Sequence, residues 1–97
     1  MQSPERLSLP VTDFNEKRSL KTKIKQKLNG ECTYCGTTPL FLTCDHIIPL
    51  VMGGTTEEWN LVPCCLDCNR SKGHRDVLSW WIAQPFFKEE RVKLLYG

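Results

Sequence analysis

Two Cys-x-x-Cys pairs constrain this chain more than any other feature. The first is "CTYC" at 32–35 and the second is "CLDC" at 65–68. One pair is a weak signal, but two pairs are typical of a tetrahedral site in which four thiolates bind one zinc ion. A chain of 97 residues has a small core, which such an ion would supplement by tying distant segments together. We therefore predict a structural Zn2+ site, with these ligands: Cys32, Cys35, Cys65 and Cys68.

Other interpretations of the six cysteines remain open. Either pair could be buried thiols or a redox pair, although no thioredoxin-like pattern surrounds them. Cys64 competes with Cys65, because a three-residue spacer before Cys68 is also an allowed ligand spacing. Symmetry with the first pair favours Cys65. Cys44 is most simply a small core residue, since free cysteine packs like an apolar side chain.

The apolar pattern predicts a soluble, cytoplasmic protein without a membrane partner. The first 20 residues contain no apolar stretch of signal-peptide length, and no run approaches the roughly 20 apolar residues of a spanning helix. In the cytoplasm thiols stay reduced, which favours a metal site over disulfides.

The chain reads as one α+β domain at 16–97 behind a flexible leader at 1–15. An amphipathic helix is predicted over 16–28, because Leu20, Ile24 and Leu28 recur every four residues and Asn29-Gly30 follows as a stop. Lys21 and Lys25 lie on its polar side, where like charges repel unless an anion is bound; a solvated face is the alternative.

The rest of the chain predicts short elements around loops. Extended segments are expected within "TTPLFLTCDHIIPL" and "EEWNLVPC", with a loop at Gly53-Gly54 between them. A helix over "CLDCNRSK" should end at Gly73, and the next should start near Asp76 and stop before Pro85. We expect an amphipathic segment at the C-terminus, and apolar packing for the following residues: Trp59 beneath the Gly-Gly loop, Val77, Leu78, Trp80, Trp81, Ile82, Phe86, Phe87, Val92, Leu94 and Leu95.

The polar residues between and after the two cysteine pairs form an ordered pattern. Asp45-His46 is followed by Pro49, the glycine pair, Asn60-Leu61 and then "CLDCNRSK". Over roughly residues 32–72 this composite resembles the HNH endonuclease family, and it is far more specific than any of its parts; the core motif of the domain is placed at 32–75. The resemblance implies a ββα-metal fold, stapled by the four-cysteine zinc site and flanked by N- and C-terminal helices, in which a hairpin and a helix present one divalent cation to a phosphate.

The resemblance also implies a role for each matched residue. Asp45 and Asn69 would be ligands of the catalytic cation. His46 would be the general base that deprotonates water, and Asn60 would hold the loop so that the imidazole faces the phosphate. In this family a histidine often stands where Asn69 does, and asparagine is a familiar variant. His74 lies off the helical register of Asn69 and is expected at the surface or facing a phosphate.

The chemistry of these residue types agrees with those roles. A carboxylate and an amide form a hard, weakly charged oxygen site that suits Mg2+ or Mn2+. A neutral imidazole with an ordinary pKa of about 6.5 can accept a proton at neutral pH. Side chains of strand neighbours point to opposite faces, so we expect a bend or bulge between Cys44 and Ile47. Taken alone, a histidine among apolar residues is usually structural, and Asn60 and Asn69 would be turn and cap residues.

Local clusters of positive charge, rather than the net charge of +2, indicate a nucleic-acid substrate. Phosphate contacts give salt-dependent affinity with low or short sequence preference. The candidate contacts are Lys21, Lys25, Arg70, Lys72 and Arg75. Duplex DNA is the expected partner, although no residue excludes RNA. Trp80, Trp81, Phe86 and Phe87 could stack on bases, but aromatic residues in such a segment are more often core.

The sequence thus predicts a metal-dependent HNH endonuclease that hydrolyses phosphodiester bonds, as a monomer or weak homodimer. The alternative is a non-catalytic zinc module that binds nucleic acid or protein, which has no need for Asp45, His46, Asn60 and Asn69 together. The sequence leaves open the biological role, whether restriction, homing, phage packaging or repair. It also leaves open nicking or double-strand cleavage, and the second would need two active sites.

Overall fold

The computed structural model describes residues 14–96, and its α+β class agrees with the prediction. Two short strands are followed by two short helices, and a longer helix precedes the strands. Residues 1–13 of the predicted leader lie outside the described residues. The helices and strands are α1 Phe14–Lys25, β1 Thr43–His46, β2 Leu61–Cys64, α2 Leu66–Lys72 and α3 Val77–Ile82; three 3-10 segments span Leu50–Met52, Glu58–Asn60 and Glu89–Leu95.

Helix α1 starts two residues earlier than predicted and its α-helical part ends at Lys25 rather than at Leu28. The backbone then tightens, since Lys27 N donates to Ile24 O at 3.0 Å, an i to i−3 bond. Asn29 and Gly30, the predicted stop, lie beyond this turn and both have positive φ. Ile24 is fully buried, and α1 contacts both strands. The apolar repeat thus predicted the buried side of the helix correctly, but it continues past Lys25, where the α-helical hydrogen bonds end.

Strands β1 and β2 form an antiparallel pair in regular register, with Asp45 opposite Val62 and His46 opposite Leu61. Pro63 is tolerated within β2 because each strand of a two-stranded sheet has a free edge. The carbonyl of Pro63 accepts a hydrogen bond from Thr33 N at 2.9 Å. This bond joins the first cysteine pair to the sheet.

Helices α2 and α3 have the ends that the sequence predicted. Cys65 caps α2, its sulfur accepting from Cys68 N, and Gly73 ends the helix with φ 53°. Asp76 caps α3 by accepting from Ser79 N at 3.1 Å. α2 packs against α3 and β1, which places the second cysteine pair beside the sheet.

The core confirms the prediction that Trp80 and Trp81 are buried, and the half-buried Phe86 and Phe87 pack against them. Two predicted core residues are exposed instead. Ile82 is 61% exposed, because Trp80 takes the inward position of the short helix α3. Trp59 is 57% exposed and its indole N–H donates to Glu57, whereas Asn60 fills the space beside the Gly-Gly loop.

Among residues 14–96, no helix has the length and apolar character needed to cross a membrane.

Candidate metal centre and nuclease cleft

The four predicted zinc ligands come together. The sulfur atoms of Cys32, Cys35, Cys65 and Cys68 all lie within 4.8 Å of one another. The Cys35 and Cys65 sulfurs are 3.8 Å apart, which is about the edge of a tetrahedron with zinc–sulfur bonds of about 2.3 Å. Cys64 lies outside this cluster, and its buried thiol donates to the Cys65 carbonyl. The geometry therefore selects Cys65 over Cys64.

The electrostatics of the cluster also fit a cation. The neighbouring Cys64 side chain lowers the pKa of Cys32 to about 4, which favours the thiolate, the form that binds a metal ion. Burial, and then the negative charge of Cys32, raise the pKa of Cys68. A bound divalent cation would remove this conflict, because it stabilises every thiolate at once. The four sulfurs have the donor chemistry and spacing of a structural zinc site.

The C-terminal segment closes over the first cysteine pair. The Arg91 guanidinium donates to the carbonyls of Thr33 and Cys32, both at 3.0 Å, and pairs with Glu31 at 3.2 Å. These contacts join positions far apart in the chain. Arg91 was not predicted from the sequence, because two of its three partners are backbone carbonyls that no side-chain pattern reveals.

Asp45 lies in β1 with its side chain only 7% exposed. One oxygen, Oδ2, receives a hydrogen bond from the Tyr34 hydroxyl at 2.6 Å and pairs with Lys72 Nζ at 3.0 Å. Lys72 also donates to the carbonyl of His46 at 3.0 Å. A buried carboxylate needs such partners, since an unpaired charge inside a protein is costly.

This pairing corrects the expectation that Lys72 faces a phosphate backbone. Its side chain is 0% exposed, so Lys72 does not lie on the surface with Arg70 and Arg75. The sequence held a signal for this placement. Lys72 follows Asn69 by three residues on a helix, and residues three apart share one face.

Tyr34 connects the first cysteine pair to Asp45. Its ring makes edge contacts with Trp80 and Trp81, at centroid distances of 5.2 and 5.1 Å. The Trp81 indole N–H donates to the Tyr34 carbonyl at 3.0 Å. Burial and the neighbouring Asp45 carboxylate raise the pKa of Tyr34 well above its ordinary value, so the hydroxyl remains a donor. This contact was not predicted from the sequence.

His46 is half-buried at the end of β1, and its Nε2 lies 3.0 Å from the Thr56 hydroxyl. Burial lowers the pKa of His46, although the nearby Asp45 acts in the opposite direction. The neutral imidazole is therefore favoured. Thr56 was also missed, because it lies in a loop whose course the sequence does not specify.

Asn60 is fully buried and holds the loop between the strands. Its side-chain oxygen accepts from Ile48 N at 2.8 Å, and its Nδ2 donates to the carbonyls of Ile48 and Thr55. Gly54 permits this arrangement, because a Cβ there would lie 1.8 Å from the Ile48 oxygen. The side chain of Asn60 thus bridges the loop with the hydrogen bonds that a backbone turn would otherwise make.

Asn69 lies on α2 and faces the sheet. Its Nδ2 donates to the Thr43 hydroxyl at 2.8 Å, and that hydroxyl donates to the Cys64 carbonyl at 2.8 Å. Because the amide nitrogen is engaged, the amide oxygen is the atom of Asn69 suited to a cation.

Asp45, His46 and Asn69 line one cleft of about 200 Å³, with His74 at its side. The expected bend is not observed, since residues 43–46 keep a regular register. It is not needed, because the cleft includes residues from both faces of β1: Cys44 and His46 from one, Asp45 from the other. A larger groove of about 680 Å³ lies beside Trp59 and Tyr96 and contains none of these residues.

The remaining predicted basic residues are exposed. Lys21 borders another cavity, which is also lined by His46 and Thr56. Arg75 donates to the Ser71 carbonyl at 2.7 Å. Cys44, expected in the core, is half-buried, and its thiol points to the Lys21 carbonyl at 3.6 Å.

Comparison with known proteins agrees with this architecture. Residues 32–75 match the family model described as HNH endonuclease. The CRISPR-associated endonuclease Cas9 of Corynebacterium diphtheriae is 40% identical over 58 residues, which cover 57% of this chain and 5% of that protein. The Cas9 of Actinomyces naeslundii is 44% identical over 52 residues, covering 50% of this chain and 5% of that protein.

The fold is also similar to a solved structure. The crystal structure of the Type II-C Cas9 enzyme from Actinomyces naeslundii matches with a TM-score of 0.67 and 26% identity, covering 81% of this chain and 9% of that one. This chain therefore spans only a small part of the length of the relatives it matches. Residues 32–75, with the paired strands, the helix and the four clustered cysteines, form an HNH endonuclease domain.

Proposed function

We propose that this protein is a metal-dependent endonuclease that hydrolyses phosphodiester bonds in DNA. The observation that carries the proposal is that Asp45, His46 and Asn69 line one cleft within the residues that match the HNH endonuclease family. The similar proteins from Corynebacterium diphtheriae and Actinomyces naeslundii are named as endonucleases, which supports this class of reaction.

Asp45 and Asn69 are the proposed ligands of the catalytic cation. Their oxygens are hard donors that suit Mg2+ or Mn2+, with water and phosphate oxygens completing the coordination. When bound there, such a cation supplies charge stabilisation to the phosphate and to the departing sugar oxygen. The Asn69 amide is oriented for this by its bond to Thr43.

His46 is the proposed general base. If Nε2 carries the hydrogen and donates it to Thr56, Nδ1 keeps the lone pair that can accept a proton from water. The lowered pKa of His46, caused by burial, keeps that lone pair available at neutral pH. The proposed role of Asn60 is to fix the loop that carries Thr55 and Thr56, and its three hydrogen bonds support it.

We assign the four-cysteine site to Zn2+ with a structural role. Four thiolates around one ion leave no open position for substrate or water, which is typical of structural rather than catalytic zinc. The site joins the first cysteine pair to the start of α2, and Asn69 directly follows its last ligand, Cys68. Zinc would therefore help to position a ligand of the second metal.

The proposed substrate is duplex DNA, bound with low or short sequence preference by a monomer or weak homodimer in the cytoplasm. Lys21, beside the His46 cavity, and the exposed Lys25, Arg70 and Arg75 would contact backbone phosphates. Such contacts release counterions, so affinity should fall steeply as salt concentration rises. Lys72 is left out of this set because it is buried against Asp45.

The test is nicking of supercoiled plasmid with Mg2+ or Mn2+. We expect cleavage by the wild-type protein and a loss of about 100-fold or more in His46→Ala, the usual contribution of a general base. The matched control is His74→Ala, because His74 is the second of the two histidines and lines the same cleft. It should retain most of the activity.

Full cleavage by His46→Ala would refute the mechanism. No cleavage by the wild type, with DNA binding retained, would favour the non-catalytic binding module. Brief EDTA treatment should separate the two metals. We expect it to stop cleavage while zinc remains bound, and Mg2+ should then restore activity.

A further inference from the structure

We propose that Tyr34 is a positioning residue that sets the affinity of the cleft for its divalent cation by holding the Asp45 carboxylate. The inference rests on the proposed function, in which Asp45 is a ligand of that cation. It assigns a role in metal binding to a residue that lies between Cys32 and Cys35.

The contact itself is short and buried. The Tyr34 hydroxyl donates to Asp45 Oδ2 at 2.6 Å, and Tyr34 is 0% exposed. Hydrogen bonds to a charged group are the stronger class, and they fix direction as well as distance. Because Tyr34 and Lys72 both contact Oδ2, Oδ1 is the oxygen left to serve the cation.

Tyr34 is also the neutral partner of this carboxylate. Lys72 cancels the Asp45 charge and therefore opposes binding of a cation, since like charges compete for one carboxylate. The tyrosine hydroxyl orients the carboxylate without adding positive charge. Removing the hydroxyl would leave Asp45 held by Lys72 alone, which favours the ion pair over cation binding.

The tyrosine is rigidly held at its other end. It lies between the zinc ligands Cys32 and Cys35. Its carbonyl accepts from Trp81, and its ring packs against Trp80 and Trp81. Partners that orient a metal ligand in this way typically contribute a factor of about 10 to 100 in metal affinity. Tyr34 thus transmits the position of the zinc site to Asp45.

The experiment compares Tyr34→Phe with Tyr96→Phe in the full chain. Phenylalanine keeps the ring and removes only the hydroxyl. Tyr96 is the second of the two tyrosines and is 78% exposed, so it is a matched control. Mn2+ affinity is measured by isothermal titration calorimetry, and zinc content by elemental analysis.

We expect Tyr34→Phe to keep its zinc and to bind Mn2+ about 10-fold more weakly, while Tyr96→Phe binds as the wild type does. In the cleavage assay, Tyr34→Phe should need a higher Mn2+ concentration than the wild type to reach its half-maximal rate. At saturating Mn2+ its rate should be near that of the wild type. Unchanged Mn2+ affinity in Tyr34→Phe would overturn the proposal, even if the variant were less stable.

A second measurement avoids dependence on the folding of Tyr34→Phe. In a Tyr96→Phe background, incorporated 3-fluorotyrosine labels Tyr34 alone. Titration with diamagnetic Mg2+ should shift its fluorine resonance with the same midpoint as Mg2+ binding. A resonance that stays fixed through saturation would overturn the proposal.

Asp45→Ala separates this inference from the proposed function. Loss of Mn2+ binding in Asp45→Ala, with wild-type affinity in Tyr34→Phe, would overturn only the role of Tyr34. Wild-type Mn2+ affinity in Asp45→Ala would overturn the ligand assignment, and with it both proposals.

Discussion

Asp45 and His46 are neighbours in sequence but have different environments. Asp45 is buried and paired with Tyr34 and Lys72, whereas His46 is half-buried beside Thr56. The ordered motif identified both residues as candidates. It could not identify their partners, because Tyr34 and Thr56 approach from segments whose relative position depends on the tertiary fold.

The pKa of His46 gives a prediction at the residue scale. Burial lowers this pKa below the ordinary 6.5, so the neutral base persists at lower pH than a solvated imidazole would. Cleavage should therefore lose half of its maximal rate only below pH 6.5, as protonation removes the base. The measurement is the nicking rate at saturating Mn2+ from about pH 5 to 8.

The residual activity of His46→Ala should lack this acidic decline, which makes the variant a control for changes in DNA or metal binding. An acidic midpoint above 6.5 in the wild-type protein would contradict the prediction.

At the scale of elements, the sequence predicted the ends of helices where neighbouring residues alone determine them. The start of α3 at the Asp76 cap and the end of α2 at Gly73 follow from capping and from backbone freedom. The burial of Trp59 and the bend in β1 were predicted wrongly. The loop is filled by Asn60 rather than by an aromatic ring, and the cleft is lined by residues from both faces of the strand. Both outcomes depend on packing between distant segments.

The two adjacent glycines of the loop should respond differently to alanine. At Gly54 a Cβ would meet the Ile48 oxygen at 1.8 Å, so the backbone held by Asn60 must move. We expect Gly54→Ala to lower the free energy of unfolding by about 3 kcal/mol and to impair cleavage. Gly53 has φ 93° and nothing within 4 Å of a Cβ, so Gly53→Ala should cost only about 1 kcal/mol of backbone strain.

Urea unfolding of both variants, followed by the nicking assay, checks this pair. Equal destabilisation, or normal cleavage by a folded Gly54→Ala, would show that the loop does not depend on the close approach at Gly54.

At the scale of the whole molecule, the cysteine cluster joins segments that the sheet alone does not hold. Because the cluster contains Cys65 but not Cys64, substitutions of these two neighbours should have different effects on zinc binding. Cys65→Ser should lose stoichiometric zinc and unfold at a lower temperature, because it removes one of the four clustered sulfurs. Cys64→Ser should retain one zinc per chain, since Cys64 lies outside the cluster and donates to a carbonyl, as a serine hydroxyl also can.

Elemental analysis after dialysis and thermal unfolding measure both effects. Retention of zinc by Cys65→Ser, together with its loss in Cys64→Ser, would reverse the ligand assignment.

The placement of the two cysteine pairs also has a kinetic consequence. They bracket residues 36–64, which contain Asp45, His46 and Asn60. Closing a loop costs an unfolded chain conformational entropy, and an ion that joined the ends of this loop in the unfolded chain would offset that cost before the strands pair. Zinc captured early would thus restrict the search of the unfolded chain to conformations in which the two halves of the cleft are already near each other. In that sense a bound ion would act on the refolding of the chain as well as on the stability of the folded protein.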